Sequence, residues 1–218
     1  MSTNHSEEVA PVLLHRVYAE VLRTHAVALI WMGYQQLNAA SFAVAEEDDV
    51  TGELVKAMKR VIRNPESPEW VDHYHVQEQV PQNTDAKLGK RRPKMDIEFE
   101  RSGRGTCPRL GFEAKRLGRG NRVGDYLGDE GLSAFLNGYY PTTHGDAGML
   151  GYVQEQTPSN WSVKLAESLN NNGDKYRVAT GGEWHSMDAF SPSPSTCSCH
   201  TDISGNRLLV IHVLLPFT

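Results

Sequence analysis

The stretches "PKMDIEFE" (93–100) and "LGFEAKRLGRG" (110–120) decide the fold, because each reads as a short strand that carries charge where Val or Thr is preferred. Alternate residues of a strand share a face, so Met95, Ile97 and Phe99 are expected on one side of the first, with Asp96, Glu98 and Glu100 on the other. In the second, Leu110, Phe112 and Ala114 share a face opposite Gly111, Glu113 and Lys115. The joining segment "RSGRGTCPR" (101–109) contains Gly103, Gly105 and Pro108, which mark a reversal and imply an antiparallel hairpin. Matching the apolar faces pairs Phe99 with Leu110 and sets Asp96 opposite Glu113, with Cβ atoms about 5 Å apart.

Working outward, "DDVTGELVKAMKRVIRNPESPEW" (48–70) predicts a helix with Leu54, Met58, Val61 and Ile62 on one face, capped by Asp49 or Thr51 and ended by Pro65. Upstream, residues 1–10 form a polar, frayed start, and 11–44 predict one long helix or two abutting ones. "HYHVQEQV" (73–80) alternates as a strand up to Pro81, and "PQNTDAKLGKRRP" (81–93) has the composition of a connecting loop. Beyond the hairpin, "GDEGLSAFLNGYY" (128–140) predicts a short helix with Leu132, Phe135 and Leu136 inward and Gly138 as its stop. A strand over 148–154, a helix over 159–173, a Ser/Pro-rich segment over 191–196 and a strand "RLLVIHVLLPF" (207–217) complete the chain. That last run is apolar on both faces, as in a strand covered on both sides. Interleaved strands and helices place the chain in the α/β or α+β class with a mixed central sheet. Residues 1–45 are expected as a helical segment packed on a core of 46–218, in a single domain.

The 218 residues suffice for one well-buried core, and a hydrophobic fraction of 39% with 22% charged residues is that of an ordinary globular protein. A net charge of −5 gives no global basic field, so nucleic-acid binding would have to rest on local basic patches or a partner. Cys107, Cys197 and Cys199 are an odd set with no secretory segment ahead of them, which points to a reducing, cytoplasmic setting. The apolar runs at 26–34 and 208–217 are about half the roughly 20 residues a membrane-spanning helix requires, so no membrane insertion is expected.

Two carboxylates as close as Asp96 and Glu113 repel unless a cation lies between them. Mg²⁺ is commonly held by one or two carboxylates with water completing its shell, and Mn²⁺ can stand in its place. Lys115 reaches into the same place. A divalent ion that activates water, beside an ammonium that balances charge on a phosphoryl group, suits phosphodiester hydrolysis.

"MDIEF" followed by a turn and "GFEAK" resembles the PD-(D/E)xK nuclease superfamily, whose restriction-endonuclease-like fold has the same order of elements over roughly 46–154. The resemblance implies that Asp96, Glu113 and the carbonyl of Ala114 ligate Mg²⁺ and that Lys115 is the catalytic lysine. It also implies a further acid on the preceding helix; Glu53 is the best match, with Glu46 or Glu47 as alternatives. Gln77 and Gln79 are candidates for contacts to water or phosphate. Pro93 lies three residues before Asp96 and not directly before it. The segments after the E-x-K are similar to compact nucleases of bacterial phage-defence systems, which implies a DNA-cutting effector. The alternative is a non-catalytic subunit that retains the fold.

Basic residues bracket the carboxylates at 87–94 and 115–122. Lys90, Arg91, Arg92, Arg116, Arg119 and Arg122 are therefore the candidate phosphate contacts. "CSCH" (197–200) offers Cys and His, but a structural zinc site needs four ligands, so a reduced loop without metal is expected. His200 is a candidate substrate contact by resemblance. His73 and His75 share a strand face and are expected to bind no metal, and Trp161 and Trp184 are expected to pack. With no recognisable DNA-reading module, targeting is expected from a sensor or ATPase subunit or from a homo-oligomer.

Overall fold

In a computed structural model the hairpin sits inside a larger mixed sheet. The structure describes residues 9–82, 92–102, 108–118, 120, 122–142, 144–187 and 194–218. In chain order its elements are α1 (Val9–Tyr34), α2 (Glu47–Arg63), β1 (Tyr74–Pro81), β2 (Lys94–Arg101), β3 (Arg109–Leu117), α3 (Val123–Leu127) and α4 (Leu132–Leu136), then β4 (Asp146–Val153), α5 (Pro158–Asn171), β5 (His185–Ser186), β6 (Thr196–Thr201) and β7 (Arg207–Pro216). The polar start up to 8, the loop over 83–91, the reversal over 103–107 and the segment 188–193 lie outside the described residues, as do Lys90, Arg91, Cys107 and Arg119.

Seven strands form one sheet in the order β1-β2-β3-β4-β7-β6-β5. β1, β2 and β3 pair antiparallel, β4 and β7 continue parallel to β3, and β6 and β5 return antiparallel. The fold is thus mixed α/β, with helices on both faces of the sheet. On one face Leu54, Val55, Met58 and Val61 of α2 and Leu22, Val27 and Ile30 of α1 pack on Ile97, Phe99, Phe112, Tyr152 and Val213. On the other, Tyr126, Leu132, Phe135 and Leu165 of α3, α4 and α5 pack on Leu117, Met149, Val153 and Val210. β7 is buried from Leu208 to Leu215, the double coverage expected of it.

The predicted register holds, since Phe99 faces Leu110 and Ile97 faces Phe112. Three expectations need correction. Met95 does not share a face with Ile97 and Phe99: it packs into the α3–α5 side while they pack into the α1–α2 side. The alternation therefore breaks at Asp96, where β1 opposite has Gln79 at a φ of 52°. α2 begins at Glu47 and is not capped by Asp49 or Thr51. Its first turn is acidic throughout, which favours the helix dipole, and Thr51 is buried against the Tyr152 hydroxyl at 2.9 Å. "CSCHT" is strand β6 and not a loop. Pairing with β7 overrides its weak propensity, and Ser198 and His200 point inward, fully buried.

Gly148 is the close approach that shapes the motif. A Cβ there would lie 2.1 Å from the Phe112 ring, so only glycine lets that ring sit against β4 beside Glu113.

Candidate active site

The site forms where β2 and β3 separate. Their ladder runs from Glu100↔Arg109 to Ile97↔Phe112, and beyond it the Asp96 carboxylate accepts the Ala114 N–H at 2.8 Å and the Gln79 side-chain amide at 3.1 Å. Glu113, one residue earlier on β3, is 5% exposed. Lys115 Nζ donates to Glu113 Oε1 at 2.9 Å, to Glu47 Oε1 at 3.0 Å and to the Ala114 carbonyl at 2.8 Å. Glu47, in the first turn of α2, also accepts the Arg116 N–H at 3.0 Å. One carboxylate from β3 and one from the α2 terminus thus meet within hydrogen-bonding reach of one ammonium, and the Asp96 charge of β2 acts on it from nearby.

The electrostatics are unbalanced. Burial, then the Asp96 charge, push Glu113 up to about 8 although Lys115 pulls the other way. Burial also raises Asp96 and Glu47, against the Ala114 N–H and Lys115 respectively. For Lys115 burial disfavours the ammonium, but Glu113 and Glu47 outweigh it and hold its pKa above the ordinary lysine value. The Tyr140 phenol is raised by burial and then by the Glu113 and Asp96 charges, which places it against the same carboxylates. Oε2 of Glu113 is buried and makes no well-aligned hydrogen bond among the described residues, although the Tyr140 hydroxyl and the Asp96 carboxyl both approach the Glu113 carboxyl.

These observations bear on a divalent cation. No three His, Cys, Asp or Glu side chains form a ready-made cage among the described residues. Mg²⁺ does not require one, because it keeps several waters and takes one or two protein carboxylates. A buried Glu113 oxygen without a well-aligned partner, with Asp96 adjacent and three acids around one lysine, is a donor set that a hard cation fits. The Ala114 carbonyl, the expected third donor, is bonded to Lys115.

The other expected residues fall as follows. Glu53 does not reach the site: six residues beyond Glu47, it is turned about 120° around the helix. Its carboxylate is solvent-exposed and pairs with Lys56 at 2.7 Å. The acid on the preceding helix that the structure brings to Lys115 is Glu47. Arg116 pairs with Glu46 at 2.8 Å, Arg122 is exposed before α3, and Arg92 is half-buried and engaged in interactions of its own. Gln77 is exposed, and Glu98 turns from Asp96 to Gln82, 3.0 Å away.

His200 is not a substrate contact. It is fully buried, with Nε2 on the Ser198 hydroxyl at 2.6 Å and Nδ1 on the Tyr176 carbonyl at 2.8 Å. His75 is on β1 but His73 precedes that strand in a 3₁₀ turn. Trp161 packs with Nε1 on the Glu155 carbonyl at 2.8 Å, and Trp184 packs on the His212 ring at 4.3 Å. Tyr140 went unforeseen in the sequence, where "NGYY" offers only a helix stop; the contact forms through tertiary packing. No helix among the described residues is long and apolar enough to cross a membrane. No family model, curated protein or solved structure matches the chain.

Proposed function

We propose that this chain is a divalent-cation-dependent nuclease of the PD-(D/E)xK type, hydrolysing phosphodiester bonds, most readily in DNA. The observation that carries the reading is the convergence of half-buried Asp96 and buried Glu113 at the parting of β2 and β3, with the Lys115 ammonium 2.9 Å from Glu113. A bound Mg²⁺ would supply positive charge against a phosphoryl oxygen and acidify a water. Asp96 and Glu113 would hold it, and the Asp96 orientation is fixed in advance by the Ala114 N–H and Gln79. Lys115 remains protonated and acts as a fixed cation that balances charge growing on the phosphate, not as a base. Glu47 orients that ammonium.

With a net charge of −5, the chain is proposed to depend on a sensor or ATPase partner, or on self-association, to reach nucleic acid, as in a cytoplasmic antiviral effector. Plasmid is incubated with the protein and Mg²⁺, alone and with candidate partners, beside Asp96→Ala and Lys115→Ala. Cleavage by the parent alone is expected; equal cutting by all three proteins, or none under any condition, refutes the catalytic role.

One observation favours a second reading, a non-catalytic subunit of the same fold. Lys115 spends all three ammonium protons inside the protein, on Glu47, Glu113 and Ala114. In that case the cluster is a closed ion-pair network and binds no cation.

A further inference from the structure

Gln154 directly follows β4 and is only 5% exposed. Its side-chain Nε2 donates to two main-chain carbonyls, that of Phe42 at 2.9 Å and that of Ala45 at 2.8 Å. Both belong to the turn that leads into α2. The amide cannot be reversed, because its oxygen would then face two carbonyl oxygens. Its Oε1 is left buried, with no partner among the described residues. Leu or Met would fill the same space without that penalty, so packing does not account for a glutamine here. What the amide alone supplies is two donors on one atom.

Those donors hold the chain beside the carboxylate site. Ala45 lies two residues before Glu47, whose Oε1 accepts from Lys115 Nζ at 3.0 Å and whose Oε2 accepts the Arg116 N–H at 3.0 Å. On the far side of Glu47, the Thr51 hydroxyl meets that of Tyr152 at 2.9 Å. The end of β4 thus grips the chain on both sides of Glu47, through Tyr152 and Gln154. The Gln154 main chain completes the ring, since its N–H donates at 2.9 Å to the carbonyl of Leu117, two residues beyond Lys115. Phe42 also stacks edge-on against Phe217 at 6.0 Å, so the turn stays docked without the amide while its two carbonyls go unheld.

We infer that Gln154 is a positioning residue for the site: by fixing where α2 begins, it keeps Glu47 on the Lys115 ammonium. Gln154 touches no reacting atom and acts through Glu47. Released from Glu47, the ammonium turns wholly to Glu113 and Asp96 and competes with the cation for them. This role deepens the nuclease reading and rests on it, because there the ammonium must stay in place to balance charge on the phosphate.

The test uses the full chain, free of metal, and two variants: Gln154→Met, which keeps the shape and removes both donors, and Gln154→Asn, whose shorter side chain retracts them. Amide hydrogen exchange reads the Arg116 N–H, whose acceptor is Glu47. Both variants are expected to speed its exchange at least about tenfold, as the loss of two hydrogen bonds implies, with the amides of the β2–β3 ladder unchanged. Unchanged exchange at Arg116, or exchange faster by the same factor throughout the sheet, overturns the proposal. Cleavage of plasmid with Mg²⁺, counted per folded molecule, gives a second readout. Gln154→Met is expected to lower kcat roughly ten- to hundredfold and to change KM less than about threefold. In a Glu47→Gln background the same substitution is expected to add nothing. An equal further loss in that background shows that Gln154 does not act through Glu47, and overturns the proposal as well. A parent that cuts nothing under any condition refutes the nuclease reading, whereas exchange at Arg116 still judges the hold of Gln154 on Glu47.

Discussion

At the residue scale, Glu113 sets the behaviour of the site. Its carboxyl is raised to about 8 by burial and by Asp96, so the metal-free native state keeps a proton that the unfolded chain releases near 4.5. Native protein then binds more protons than unfolded protein between those values, and stability contributed by this group falls as pH rises through that window. Glu113→Gln removes the titration. In EDTA it is expected to be more stable than the parent at pH 8.5 by on the order of a few kcal/mol, and little changed at pH 4.5. Chemical denaturation at the two pH values checks this; an equal shift at both would show that Glu113 is not the titrating group. Glu47 in place of Glu53 carries a related lesson. Both belong to one amphipathic helix, and choosing between them needs the angle at which α2 meets the sheet, which hydrophobic periodicity leaves open by a turn.

At the element scale, β2 and β3 were legible because their apolar alternation and a glycine-rich reversal admit one sensible register; the observed ladder keeps it from Glu100 to Ile97 and ends there, where Asp96 takes the Ala114 N–H. The break at Asp96 was not legible. It depends on Gln79 of β1 taking a left-handed φ and on the Ala114 N–H turning to a carboxylate, both consequences of pairing and not of local pattern. Strand β6 was missed for a similar reason, since Ser198 and His200 are buried by hydrogen bonds and carry no apolar signal. The approach of β4 to β3 gives a prediction of its own. Gly148→Ala drives a methyl into the Phe112 ring and should cost about 1–3 kcal/mol in denaturant unfolding. Because Phe112 precedes Glu113, cleavage should fall further than the loss of folded protein explains. Stability within about 0.5 kcal/mol of the parent would show that the strands separate at little cost.

For the whole molecule, two buried clusters titrate in opposite senses. His200 is lowered to about 4 and His212 well below its usual value, both first by burial, so the unfolded chain takes up protons that the native state refuses as pH falls below 6.5. That contribution rises with pH from about 4 to 6.5, while the carboxylates Glu113, Asp96 and Glu47 act the other way above about 4.5. Metal-free protein is therefore expected to melt at its highest temperature near pH 6, with Mg²⁺ raising the melting temperature most at pH 8. Melting curves from pH 4 to 9 with EDTA or Mg²⁺ check it, and a Mg²⁺ effect independent of pH contradicts it.

The account stands or falls on whether the acids around Lys115 hold a cation or only an ammonium. Calorimetric titration of Mn²⁺ into the parent protein and into Asp96→Asn decides between them. The nuclease reading predicts saturable binding to the parent, weakened at least about tenfold by Asp96→Asn, with protons released at pH 7 as Glu113 ionises. Equal binding by both proteins, or none by either, would contradict it and leave the ion-paired scaffold.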